Sequence, residues 1–158
     1  AGLVAGAGLV YLSGGNPPFL ASTLRGTRVW AAIEDAWRAG AALAGCSAGA
    51  MALTGQVPDI RHPFREAVPG LGAVPQLSVL PHFDRFAGRL PDLVLTRVSN
   101  PPPGVTSVGV DEDTALVGGW REDPDEWEVV GRQSVWVLSP DGREEHPSGS
   151  VLRLGPVG

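Results

Sequence analysis

The chain has 158 residues, 43% of them apolar, and a formal net charge of -5 from 12 basic and 17 acidic side chains. That is apolar material enough for a domain with its own core and excludes a disordered chain, while the acidic balance, without any basic run, excludes nucleic acid as the main partner. No apolar stretch reaches the ~20 residues of a membrane span, and one cysteine, Cys46, excludes an intramolecular disulfide and a cysteine-rich metal site.

The first eight residues are small and apolar but carry no basic n-region, so they do not read as a signal peptide. A cytoplasmic setting, with its reducing conditions, is the expectation. Gly8 to Leu12 is a short apolar run closing in Ser13-Gly14-Gly15-Asn16, which predicts a buried strand ending in a glycine loop. Pro17 and Pro18 suit the first turn of a helix. Leu20, Leu24, Ile33 and Trp37, with Val29 and Trp30 between them, keep a helical spacing up to Gly40, and Gly26-Thr27 can divide this stretch into two helices. Ala41 to Ala44 predicts a second strand, and Ala48 to about Leu53 a short helix. Strand, helix, strand and helix in succession imply parallel pairing with right-handed crossovers.

Residues 55–75 are irregular, broken by Pro58, Pro63, Pro69 and Gly70. Leu77 to Leu80 predicts a strand that ends in Pro81-His82-Phe83-Asp84, and Leu90 to Val98 a helix. Val105 to Val110 and Thr114 to Val117 predict strands around the acidic turn Asp111-Glu112-Asp113. Trp127 to Gly131 and Ser134 to Leu138 are β-rich, and Asp141-Gly142 is a hairpin turn signal. The pattern reads as one α/β domain over residues 1–158 with an antiparallel C-terminal part.

Gly45-Cys46-Ser47-Ala48-Gly49 fits the G-x-S-x-G elbow, which holds a serine nucleophile on a strained strand-to-helix turn. Cys46 precedes the apex and is expected to point into the packing around its strand. A serine nucleophile needs a base, and His82, just after a predicted strand, is better placed than His62 or His146. The base needs an orienting carboxylate. Glu112, at the end of a third strand, is one candidate, and Asp59, in the long loop after the serine helix, is the other. The backbone N–H groups of Gly14-Gly15 and Ala48 can form an oxyanion hole. The histidines lack the spacing of a zinc site, and neither metal nor cofactor is expected.

Together, Ser13-Gly14-Gly15-Asn16-Pro17, Gly45-Cys46-Ser47-Ala48-Gly49-Ala50, Pro81-His82-Phe83 and Gly109 to Leu116 resemble the serine peptidase family that includes dipeptidase E and cyanophycinase. The resemblance covers about residues 8–118. It implies a mainly parallel three-layer α/β sandwich of the class I glutamine amidotransferase-like type, followed by a β-rich antiparallel part. It implies Ser47 as nucleophile, His82 as base, and Gly15 with Ala48 as oxyanion donors. The cyanophycinase-like pattern points to Glu112 as the acid and the dipeptidase E-like pattern to Asp59. Pro81 stands where cyanophycinases carry a glutamine, which leaves the substrate open. The family's strand–helix portion ahead of the Gly-Gly-Asn strand is expected to be missing from this chain. The resulting expectation is a serine hydrolase that cleaves a small, Asp-containing peptide through an acyl-enzyme, with Asn16 and Arg85 touching substrate and Arg61, Arg65 and Arg89 as further arginines near it. A homodimer is compatible with this reading. The alternative is a binding protein or inactive fragment that keeps the fold without turnover.

Overall fold

The computed structural model describes residues 2, 4–59, 62, 65–86, 96, 99–118 and 123–155. The fold is mixed α/β, and the chain divides into two compact units, residues 1–73 and 74–158. Apart from Thr96, which is helical, the expected helix over 90–98 lies outside the described residues, as do Arg61 and Arg89.

In the first unit, β1 (Leu9–Leu12) and β2 (Ala42–Gly45) pair in parallel, with Leu12 opposite Gly45. The crossover between them is helical, because the sequence supplies a start signal twice. Asn16 caps α1 (Pro17–Leu24), its Oδ1 accepting the Phe19 N–H at 2.9 Å, and the two prolines occupy the first turn, where no N–H is needed. Thr27 caps α2 (Arg28–Arg38) in the same way through Trp30 N–H. Gly26, at φ +72°, makes the break between the two helices. Helix α2 buries Trp30 and Ile33, and α1 buries Ala21. Helix α3 (Ala48–Ala52) follows β2 and buries Ala48, Gly49, Met51 and Ala52. Within residues 55–75 two short strands, β3 (Gln56–Val57) and β4 (Val68–Pro69), pair antiparallel.

The described residues of the second unit form two sheets. One has the order β10-β9-β6-β5 and the other β11-β8-β7, where β5 is Leu77–Pro81, β6 Thr106–Val110, β7 Thr114–Gly118, β8 Glu126–Gly131, β9 Ser134–Ser139, β10 Gly142–Pro147 and β11 Val151–Arg153. Among the described residues of this unit, β5 and β6 alone pair in parallel; the C-terminal strands are antiparallel, and the Asp141-Gly142 signal closes the β9–β10 hairpin. Period-2 alternation turns Val108, Trp127, Val129, Val135 and Leu152 into one apolar cluster with Leu77 and Leu154. On the other face of β6, Gly109 leaves room for the ring of Phe83, which is 1% exposed and belongs to α4 (Phe83–Phe86). Among the described residues no helix is long and apolar enough to cross a membrane.

Candidate active site

The serine turn is built by strand register and by two glycines. Leu12 and Gly45 end β1 and β2 level with each other, and Cys46 N–H still bonds to the Leu12 carbonyl at 3.0 Å. The chain must then reverse into α3 within one residue. Ser47 makes that reversal at φ 51°, ψ -114°, a conformation that non-glycine residues rarely adopt. The flanking glycines permit it. A Cβ on Gly45 would lie 2.5 Å from the backbone carbon of Gly49. One on Gly49 would lie 2.7 Å from the Leu12 carbonyl carbon, with the oxygen closer still. The Gly14 backbone runs alongside, since a Cβ there would be 3.8 Å from Ser47 Oγ, and Gly15 follows at φ +143°, where glycine is favoured. Ala48 opens α3, so its N–H has no intrahelical partner. Asn16 Oδ1 is engaged as the α1 cap.

Cys46 corrects the sequence expectation, for it is exposed rather than packed away. Alternation along β2 puts it on the same side as Ala42 and Ala44, next to Tyr11 of β1, and this side carries Leu9 at 57% and Tyr11 at 55% exposure. The hydrogen bond with the Cys46 thiol, then burial, then the charge of the thiolate raise the Tyr11 phenol above its ordinary range.

In the second unit, β5 and β6 also end level, with Pro81 opposite Val110. His82 and the turn 111–113 therefore leave the sheet side by side. His82 is at φ 55°, and its carbonyl accepts the N–H groups of Arg85 and Phe86. The structure brings His82 and Glu112 together, with His82 Nδ1 3.3 Å from Glu112 Oε1. The other oxygen, Oε2, accepts Arg85 Nε at 3.1 Å and Arg85 Nη2 at 3.0 Å. Arg85 is thus an ion-pair partner of Glu112, with Asp84 Oδ2 3.6 Å from its Nε. Asp84 Oδ1 accepts the Glu112 N–H at 3.0 Å. Partial burial pushes the Asp84 carboxyl up, but the hydrogen bonds from Glu112 and Gln133 and the charge and N–H of Arg85 outweigh it and hold the group below its usual range. Asp59 has other partners, with His62 Nδ1 at 3.0 Å and Arg65 Nη1 at 3.9 Å from its Oδ2. Among the described residues no group of three or more His, Cys, Asp or Glu is arranged to hold a metal ion.

Sequence reasoning missed Asp84 and Gln133. Asp84 stands two residues beyond His82, a spacing that a short helical turn folds back toward the neighbouring strand end. Gln133 belongs to the β8–β9 turn, and nothing in its local pattern marks it.

A mixed α/β chain with a serine seated on a sharp strand-to-helix turn, and a histidine beside a carboxylate at level strand ends, has the parts of a serine hydrolase. Residues 3–119 match peptidase family S51, and the chain belongs to that family. It is similar over 96% of its length to the crystal structure of a peptidase from an acI-B1 Actinobacterium, with 38% identity and a TM-score of 0.83. The chain spans 62% of that protein. At 15% identity it shares the fold of a peptidase E-type protein from Listeria monocytogenes EGD-e, with a TM-score of 0.55 over 92% of this chain and 62% of the other. No curated protein matches.

Proposed function

We propose that the protein is a serine peptidase that hydrolyses a peptide bond in a small substrate through an acyl-enzyme on Ser47. In this reading the fold is a three-layer sandwich, and His82 takes the serine proton and returns it to the leaving amine. Glu112 orients the imidazole through the 3.3 Å contact at Nδ1. The N–H groups of Gly15 and Ala48 stabilise the oxyanion, a role commonly worth ~3 kcal/mol per donor. The observation that carries the reading is the backbone of Ser47: a residue other than glycine held at φ 51° between two glycines that admit no Cβ. Strain of this kind persists where function requires it.

The substrate we propose is a short Asp-containing peptide. Arg85 keeps its outer edge in solvent, its side chain 66% exposed, and among the described residues its ion-pair contacts run through Nε and Nη2. A guanidinium offers five N–H donors, so it can serve Glu112 and a substrate carboxylate together.

The test is a dipeptide panel of Asp-X, Asn-X and Ala-X on the wild type, Ser47→Ala, Glu112→Gln and Asp59→Asn. Hydrolysis of Asp-X should vanish in Ser47→Ala. It should fall by on the order of 10²–10⁴ in Glu112→Gln and far less in Asp59→Asn. Turnover surviving in Ser47→Ala would refute the nucleophile. The reverse order of the two carboxylates would move the acid to Asp59.

A further inference from the structure

The acidic turn after β6 is gripped residue by residue by a segment outside the part of the chain that matches the family. The family match ends at residue 119, whereas the gripping residues are 132–136, at the β8–β9 turn and the start of β9. Asp111, 7% exposed, accepts Ser134 N–H at 3.3 Å and has both oxygens 3.1 Å from Trp136 Nε1. The Glu112 carbonyl accepts Gln133 Nε2 at 2.9 Å. The Asp113 carbonyl accepts Arg132 N–H at 2.9 Å, and Thr114 Oγ1 accepts Gln133 N–H at 3.0 Å.

Glu112 is thereby fixed in both of the peptide units that flank its Cα. Its N–H is held by Asp84 from the His82 side, and its carbonyl by Gln133 from the hairpin side. The Gln133 amide also helps to hold the Asp84 carboxyl below its usual range, so the two holders face each other. With both backbone groups engaged, Glu112 has its φ and ψ, and so the direction of its Cα–Cβ bond, fixed, which sets where the carboxylate can reach His82 and Arg85. That matters here because the Glu112 side chain is about one-third exposed and its position is not set by burial.

We infer that Gln133 is a positioning residue. Through the Glu112 backbone it holds the carboxylate against His82 Nδ1, so the C-terminal hairpin is part of the catalytic apparatus. The inference rests on the proposed roles of His82 and Glu112, and Gln133 itself touches neither substrate nor reacting atoms. Activity requires the His82–Glu112 contact to be made in the same geometry at every turnover. Removing the amide donor therefore lowers the fraction of molecules with the contact in place, which acts on kcat and not on substrate affinity.

The test uses the full chain and two variants. Gln133→Met keeps the length of the side chain without its donor. Val129→Ala, at a fully buried core position of β8, loosens the same hairpin without touching the turn. Three readouts are compared: kcat and KM on a cleaved dipeptide, the melting temperature, and the downfield proton resonance of His82 Nδ1–H, assigned by its loss in His82→Ala. In Gln133→Met, kcat should fall roughly tenfold with KM within about twofold, the size expected for one hydrogen bond, and the Nδ1–H resonance should shift upfield or broaden. In Val129→Ala the melting temperature should fall while kcat and the resonance hold. Wild-type kcat and an unmoved resonance in Gln133→Met would overturn the inference, as would equal losses in Val129→Ala. The resonance is read without turnover. If Ser47 proves not to be the nucleophile, the comparison still decides whether Gln133 sets the His82–Glu112 contact.

Discussion

Replacing Gly49 by alanine tests whether the serine turn depends on close contact between β1 and α3. The added Cβ would lie 2.7 Å from the Leu12 carbonyl carbon and 2.9 Å from Leu12 Cβ, where carbon atoms normally rest about 3.5–4.0 Å apart. Both partners belong to the end of β1, so no flexible side chain can move aside, and the two segments must separate by about 1 Å. Overpacking of this kind costs about 1–3 kcal/mol. The same Leu12 carbonyl accepts Cys46 N–H at 3.0 Å, and losing that bond adds about 1 kcal/mol. The total, about 2–4 kcal/mol, corresponds to a drop in melting temperature of roughly 5–15 °C for a chain of this size. Gly14→Ala is the counterpart. Its Cβ meets Ser47 Cβ at 3.6 Å and Oγ at 3.8 Å, which is ordinary contact, and its φ needs no glycine. Gly14→Ala should therefore melt within about 2 °C of the wild type while crowding the serine hydroxyl and slowing its acylation severalfold. Differential scanning calorimetry of both variants decides the matter. An unchanged melting temperature in Gly49→Ala would refute the packing argument, and a large loss in Gly14→Ala would show that the Gly-Gly loop is tighter than its geometry indicates.

Two further perturbations follow from the charge environments. Tyr11 is the chain's one tyrosine, so phenolate absorbance reports it alone; Cys46→Ala should move its titration midpoint down toward the ordinary value of about 10, and an unmoved midpoint would contradict the thiol contact. The Asp84 carboxyl is depressed in the folded chain, so its contribution is present above the unfolded value of about 3.9 and disappears as pH falls through the lower folded value. Asp84→Asn should accordingly be less stable than wild type at neutral pH and lose less stability between about pH 4 and pH 2, as read by urea unfolding across that range; parallel curves would contradict it.

The serine turn was legible because glycine spacing carries steric information directly. Gly45 and Gly49 frame a residue whose neighbours leave no room for a Cβ, and that constraint shows in the sequence itself. The caps of α1 and α2 were legible for the same local reason, since Asn16 and Thr27 act within three residues of themselves. Cys46 was misread because the packing rule for a residue beside a parallel strand assumes both faces are covered, and the Tyr11 side of β1 and β2 is exposed. The pairing of His82 with Glu112 followed from both lying at predicted strand ends, but the level register of β5 and β6 that sets them side by side is a property of the sheet. The grip of 132–136 on 111–114 was not legible, because it joins segments about twenty residues apart through side-chain and backbone contacts that no local pattern marks.

The central claim is that Ser47 is an activated nucleophile, and covalent capture tests it most directly. The intact chain is treated with a fluorophosphonate and its mass is measured. One adduct per chain is expected in the wild type, none in Ser47→Ala, and much slower formation in His82→Ala. An unlabelled wild type, or an adduct that persists in Ser47→Ala, would contradict the account.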